Sequence, residues 1–226
     1  MNKENKSFLG PFIKTSIFMI LFLLVLVLVK TVDVAKIGEN NTDMGLSTIN
    51  DAFYQQLKAI NEPFYKITKY MGYMCFVVIA AFAVIGLVQL IKRKSLLKVD
   101  KDILVLGGTY IFVLLLYFFF DLVPFSVRPI IVDEAMEASF PSSHTLMAIV
   151  VMGTLIQEII LRVSNKWLKI VLCVLSLMFI LVMVVLRTLS GVHWITDIVS
   201  GVLLGLSVIY LYQTILLKIS SNEVKE

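Results

Sequence analysis

The sequence predicts an all-α integral membrane protein, a bundle of six transmembrane helices with both termini cytoplasmic and an active site at the outer membrane face. Three observations lead there. The 226-residue chain is 59% hydrophobic, with a mean hydropathy of +0.92, whereas soluble domains are typically about 45–50% apolar. Apolar runs near the length a bilayer demands, about 20 residues, recur along most of the chain. The lysines and arginines collect on alternate connections between those runs.

The first run, Thr15–Val32, follows "MNKENKSFLGPFIK" and has the look of a secretory signal. It ends in "LVKTVDVAKIGE", without the pair of small residues that a cleavage site needs. It reads as a retained anchor helix, with Lys14 and Lys30 reaching toward opposite interfaces. The outer loop 33–69 follows. Its "LSTINDAFYQQLKAINEPFYKI" places Phe53, Tyr54, Leu57, Ile60, Phe64 and Tyr65 at helical spacing, so a helix or two lying along the interface as a cap is expected. Asn40-Asn41-Thr42 fits a glycosylation sequon, a pattern common by chance.

The second and third spans are Tyr70–Ile91 and Ile103–Phe120, joined by the basic stretch "KRKSLLKVDK". A second outer loop, 121–143, leads into the fourth span, Thr145–Leu161. Arg162, Lys166 and Lys169 precede the fifth, Ile170–Leu186. The short connection 187–193 leads into the sixth, Trp194–Leu217, where Gly201 and Gly205 form a G-x-x-x-G pair suited to close helix packing. Six spans leave little chain for anything else, so residues 1–226 read as one membrane-embedded domain.

Thirteen of the twenty Lys and Arg residues fall on the side that holds both termini. The positive-inside rule makes that side cytoplasmic, in the cell membrane. The net charge of +4 is therefore a topology signal, and nothing in it indicates nucleic acid. Cys75 and Cys173 lie inside apolar runs and read as packing thiols, with no disulfide or metal implied.

Chemistry is expected on the outer side. Both histidines of the chain, His144 and His193, fall there at the mouths of spans, as do Arg128 and Arg187. Charged groups at the rim of an apolar slab are costly to desolvate, so their retention calls for a function. In "LRTLSGVHWITD", His193 and Asp197 are spaced i, i+4 and would share a helix face, the carboxylate fixing the imidazole tautomer. Gly191 allows the chain to reverse between Arg187 and His193. In "FPSSHT", Ser142, Ser143 and His144 begin a helix after Pro141, which offers backbone N–H groups and hydroxyls to an anion. Arg128-Pro129 brings a second guanidinium. Arginine forks match phosphate oxygens, and two histidines can divide attack and protonation between them. Taken singly, Asp197 reads better as a helix cap and His193 as an interfacial residue beside Trp194, a typical headgroup anchor.

At these residues the sequence resembles the type 2 phosphatidic acid phosphatase family, the membrane branch of a superfamily shared with vanadium haloperoxidases. The family signature runs Lys-x6-Arg-Pro, then Pro-Ser-Gly-His, then Ser-Arg-x5-His-x3-Asp. Arg187, His193 and Asp197 match the third part, Pro141, Ser142 and His144 the second, and Arg128-Pro129 the end of the first. The resemblance implies a metal-independent lipid phosphatase without a cofactor. Its catalytic residues would be His193 as nucleophile, Asp197 as the group that orients it, and His144 as general acid. Arg128, Arg187, Ser142 and Ser143 would be the phosphate-binding residues.

Substrates so implied are phosphatidic acid, phosphatidylglycerophosphate or undecaprenyl diphosphate. The partners are that lipid and the surrounding membrane lipids, with oligomeric state left open. The chain departs from the signature at Ser143 for glycine, Leu186 for serine and Asp121 for the lysine. Either a lysine of the first outer loop (Lys58, Lys66 or Lys69) supplies the missing cation, or the site is tuned to a different substrate. Two other readings stand beside this one. An intramembrane serine protease would use Ser142 or Ser143 but lacks a G-x-S-x-G elbow. A non-catalytic binder or transporter of phosphorylated lipids would keep the fold without the chemistry.

Overall fold

The computed structural model describes residues 7–39, 41–57, 61–131 and 137–223. The long helices are α1 (Leu9–Thr31), α3 (Glu62–Arg93), α4 (Lys101–Leu122), α5 (Ser143–Arg162), α6 (Lys166–Leu189) and α7 (Ile195–Glu223). All six are long and apolar enough to cross a membrane. The protein is a multi-pass membrane bundle. Between α1 and α3 lie two short strands, β1 (Ala35–Ile37) and β2 (Thr42–Met44), and the helix α2 (Ser47–Leu57).

The helix that departs most from its expected span is α3. It begins at Glu62, about two turns ahead of the apolar run at Tyr70. The cause is local: the Asn61 side chain accepts a hydrogen bond from the Phe64 N–H at 3.2 Å, and Pro63 stands in the first turn. The extra turns carry Tyr65, Thr68 and Lys69. Asn165 starts α6 in the same way, accepting from the Leu168 N–H at 3.0 Å.

Burial sets the layers. In α5, 67% of the apolar window is buried, against 11% for α1 and α6 and 6% for α3, so α5 is the central helix and the others present large faces to lipid. Helix α7 packs closely on α5 through Gly201 and Gly205. A Cβ at Gly205 would stand 2.8 Å from Ile149 Cγ2, and one at Gly201 would stand 2.9 Å from the Ser142 carbonyl oxygen. The G-x-x-x-G pair is thus the close-packing device read from the sequence. At the other end of the bundle, the buried Glu158 accepts from Tyr212 Oη at 2.5 Å and from Arg162 Nε at 2.7 Å, while Arg162 also pairs with Asp102. That network ties α4, α5 and α7 together. Cys75 and Cys173 are free thiols.

Segment 33–61 differs from the helical cap expected. It opens as an antiparallel hairpin, with Ala35 opposite Met44 and Ile37 opposite Thr42. Gly38 and Asn41 turn it with φ of 76° and 48°, the left-handed conformation that these residue types tolerate best. Only α2 forms as a separate helix among the described residues. Asn40, Lys58 and Ile60 lie outside the described residues. The segment is stitched to what lies beneath it: the Glu39 N–H donates to the Pro129 carbonyl at 3.0 Å, the Asn61 N–H to the Ser190 carbonyl at 3.1 Å, and Thr196 Oγ1 to Asn50 Oδ1 at 3.1 Å. Trp194 is not the headgroup anchor its position suggests. It is 1% exposed, packs against Tyr54 and donates its Nε1–H to the Val127 carbonyl at 2.8 Å.

Candidate active site

The hairpin end of the bundle gathers Arg128, His144, Arg187, His193 and Asp197. Arg187 occupies the last turn of α6, which ends at Leu189. Residues 190–194 then turn, with Gly191 at φ 74°, and α7 begins at Ile195. His193 therefore lies in the turn, and the helical i, i+4 face expected for His193 and Asp197 does not form. Asp197 sits in the first turn of α7 and reaches back, Oδ2 accepting the Trp194 N–H at 3.0 Å, so the capping role and the site role coexist.

His193 Nδ1 is 3.5 Å from Asp197 Oδ2, and a serine mediates between them. Ser139 Oγ lies 3.0 Å from His193 Nδ1 and donates a short hydrogen bond to Asp197 Oδ2. On its other side the imidazole meets Arg187, whose Nη2 is 3.1 Å from His193 Nε2. A guanidinium can only donate, so Nε2 is the acceptor and Nδ1 carries the hydrogen. The order is then fixed: His193 Nδ1–H donates to Ser139, and Ser139 donates to Asp197. The result is an imidazole whose lone pair points toward the arginine. Burial, then the Arg187 and Arg128 guanidinium groups and His144, hold the His193 pKa well below the usual histidine range. It is neutral, the state a nucleophile needs.

Ser139 was not legible from the local sequence. It arrives through the pairing of segments 126–128 and 137–139: the Arg128 N–H donates to the Glu137 carbonyl at 3.1 Å and the Ser139 N–H to the Ser126 carbonyl at 2.9 Å. The same pairing aims Ser126 Oγ at Asp197 Oδ1, 3.4 Å away. It also places the buried Arg128, whose Nη2 meets Glu137 Oε2 at 2.7 Å.

Helix α3 forms a wall that the sequence reading assigned to an interfacial cap. Thr68 Oγ1 accepts from Arg187 Nη1 at 3.3 Å, and the Tyr65 ring lies 5.4 Å from the Arg187 guanidinium carbon. Gly72 abuts the imidazole of His144; a Cβ there would stand 2.9 Å from Cδ2 and 3.1 Å from Nε2. Several buried nitrogens have no protein partner among the described residues: Arg128 Nε and Nη1, Arg187 Nε and His144 Nδ1. Unpaired buried donors of two arginines are costly unless an anion accepts from them.

Ser142 and Ser143 behave differently from one another. The Ser142 hydroxyl accepts from Thr145 Oγ1 at 3.1 Å, and its N–H donates to the Asp197 carbonyl at 3.0 Å, so that N–H is committed to the fold. Ser143, the first residue of α5, lines a cavity of about 290 Å³ together with Arg128, His144, Lys69 and Asp121. Tyr117, Phe76 and Met147 supply its apolar wall. His193 and Arg187 are not in that lining and lie deeper. Of the lysines weighed as the missing cation, Lys66 is exposed and pairs with Glu62 at 2.9 Å, whereas Lys69 faces the cavity. Neither Ser142 nor Ser143 hydrogen-bonds a histidine, so a serine nucleophile of the protease kind has no base here.

A family model described as the PAP2 superfamily matches residues 72–220, about two thirds of the chain. Among solved structures, the fold is similar to a crystal structure described as the first transmembrane PAP2 type phosphatidylglycerolphosphate phosphatase from Bacillus subtilis. The TM-score is 0.66 at 19% identity, over 91% of this chain and 97% of that one. None of the curated proteins matches.

Proposed function

The chain belongs to the PAP2 superfamily, and from that premise we propose that it is a lipid phosphate phosphatase that hydrolyses its substrate through a phosphohistidine on His193. The observation that carries this reading is the hydrogen-bond chain Asp197–Ser139–His193. It fixes the imidazole proton on Nδ1 and leaves the Nε2 lone pair beside Arg187. In the first step Nε2 attacks phosphorus and the bond to the leaving oxygen breaks. His144 gives that oxygen its proton. Water then attacks the phosphohistidine, His144 taking its proton, and inorganic phosphate leaves. The free N–H groups of Arg128 and Arg187, with Ser143 at the start of α5, bind the phosphoryl oxygens and stabilise the charge spread over them in the transition state. No step calls on a metal or a cofactor.

The substrate is a membrane lipid phosphate: phosphatidic acid, phosphatidylglycerophosphate or a polyprenyl diphosphate such as undecaprenyl diphosphate. The apolar wall of Phe76, Tyr117 and Met147 beside the polar site suits a headgroup whose tail stays in the bilayer. By the distribution of basic residues, both termini are cytoplasmic and the site opens outward. Residues 1–226 act as one domain, with segment 33–61 as its cap.

The test is phosphate release from a panel of lipid mono- and diphosphates by the purified protein in mild detergent, with chelator present, beside His193→Ala. Release by the wild type and none by the variant supports the reading. Folded wild-type protein that binds these lipids but releases nothing favours the alternative, a binder or transporter on the same fold. That alternative has one observation of its own in Asp121, an anionic side chain lining the cavity.

A further inference from the structure

Resting on the phosphatase reading, we propose that Lys69 binds a phosphate carried by the leaving group. Lipids whose leaving group keeps a phosphate of its own, diphosphates and phosphomonoesters on a phosphodiester headgroup, are then preferred over simple lipid phosphomonoesters.

In-line transfer puts the nucleophile and the leaving oxygen on opposite sides of phosphorus. His193 is absent from the lining of the 290 Å³ cavity and His144 is part of it, so the leaving group occupies the cavity. Lys69 belongs to that lining. Tyr65, Lys69, Gly72 and Phe76 follow one another at helical spacing on a single face of α3 and all four line the cavity. Gly72 touches His144. Lys69 therefore stands one turn along α3 from the glycine that touches His144, the group that protonates the leaving oxygen.

Charge accounting gives Lys69 its role. Among the described residues, the charged groups lining the cavity are Lys69, Arg128, Asp121 and Glu137. Arg128 and Glu137 are paired at 2.7 Å. Among the described residues no carboxylate approaches Lys69 within ion-pair distance, in contrast to Lys66, which Glu62 holds. Lys69 thus offsets Asp121, which has no ion-pair partner among the described residues, in the lining of the same cavity. Without it the described lining has an excess negative charge, a poor setting for a second phosphate and a matter of indifference to a neutral alcohol such as diacylglycerol.

The experiment compares substrates with matched tails on the full chain in detergent: farnesyl diphosphate against farnesyl monophosphate, and phosphatidylglycerophosphate against phosphatidic acid. For Lys69→Met, kcat/KM should fall about tenfold or more on farnesyl diphosphate and phosphatidylglycerophosphate, the loss expected for one charge-assisted hydrogen bond. It should stay within about threefold on the two simple monoesters, which also report that the variant is folded. Lys69→Arg should restore most of the loss, and Asp121→Asn should raise the first pair selectively. Equal losses on all four substrates would place Lys69 on the transferred phosphoryl group and overturn the proposal, as would no loss on any. If the wild type releases phosphate from none of the four, the phosphatase reading fails first and this inference falls with it.

Discussion

Ser139 and His193, 54 residues apart in the chain, are joined by a 3.0 Å hydrogen bond, and through it the imidazole is tied to Asp197. The carboxylate thus acts on the histidine through a serine hydroxyl. Removing that hydroxyl should free the ring to rotate and to change tautomer while leaving the arginines in place. Ser139→Ala is expected to lower kcat by about 10–100-fold with KM little changed, as for other loss of an orienting partner. Steady-state kinetics on any lipid phosphate that the wild type hydrolyses checks it.

The neutrality of His193 should be visible in stability. Its folded pKa lies well below the usual histidine value because the ring is buried beside Arg187, Arg128 and His144. In the unfolded chain it titrates near about 6.5. Below that pH the unfolded state takes up a proton that the folded state refuses, so this contribution to stability is present at neutral pH and declines in acid. The thermal midpoint in detergent should therefore drop on acidification more for the wild type than for His193→Gln, in which Arg187, Arg128, His144 and Asp197 are unchanged. Equal acid sensitivity in the two proteins would remove His193 from that account.

Gly72 is expected to act on the chemistry through His144. An added Cβ would meet the ring at 2.9–3.1 Å, so Gly72→Ala must displace the imidazole. A misplacement on the order of 1 Å can cost about 100-fold in rate. The loss should be large for alkyl phosphates and small for p-nitrophenyl phosphate esters, whose activated leaving group does not depend on an acid. A uniform loss across leaving groups would point to general disruption instead.

Gly205 makes a purely structural prediction. Its missing Cβ is what lets α7 approach Ile149 of α5. Gly205→Leu should destabilise the bundle by about 1–3 kcal/mol through overpacking. Thermal unfolding in detergent would register it as a lowered midpoint.

Much of this was legible in the sequence, for physical reasons that can be named. Lipid contact demands long apolar runs, so all six helices appear in the hydropathy, and the cost of charge at an apolar rim makes Arg128, Arg187, His144, His193 and Asp197 conspicuous. Ser139 gave no such signal, since a serine two residues before a proline is unremarkable until the pairing of 126–128 with 137–139 delivers it to His193. The α3 wall was missed because Tyr65, Thr68 and Lys69 precede the apolar run that defines the span, although the Asn61 cap and Pro63 in "INEP" do announce an earlier helix start. The hairpin was missed because three-residue strands carry too little alternation to show a period.

The most direct test of the central claim is to trap the intermediate. Rapid acid-free quenching of the wild type with a lipid phosphate radiolabelled in its terminal phosphoryl group should leave label on the protein. That label should be stable to base and labile to acid, map to the peptide containing His193, and be absent from His193→Ala. Label on a serine, or multiple turnovers by the wild type with no label at any time, would contradict a histidine nucleophile.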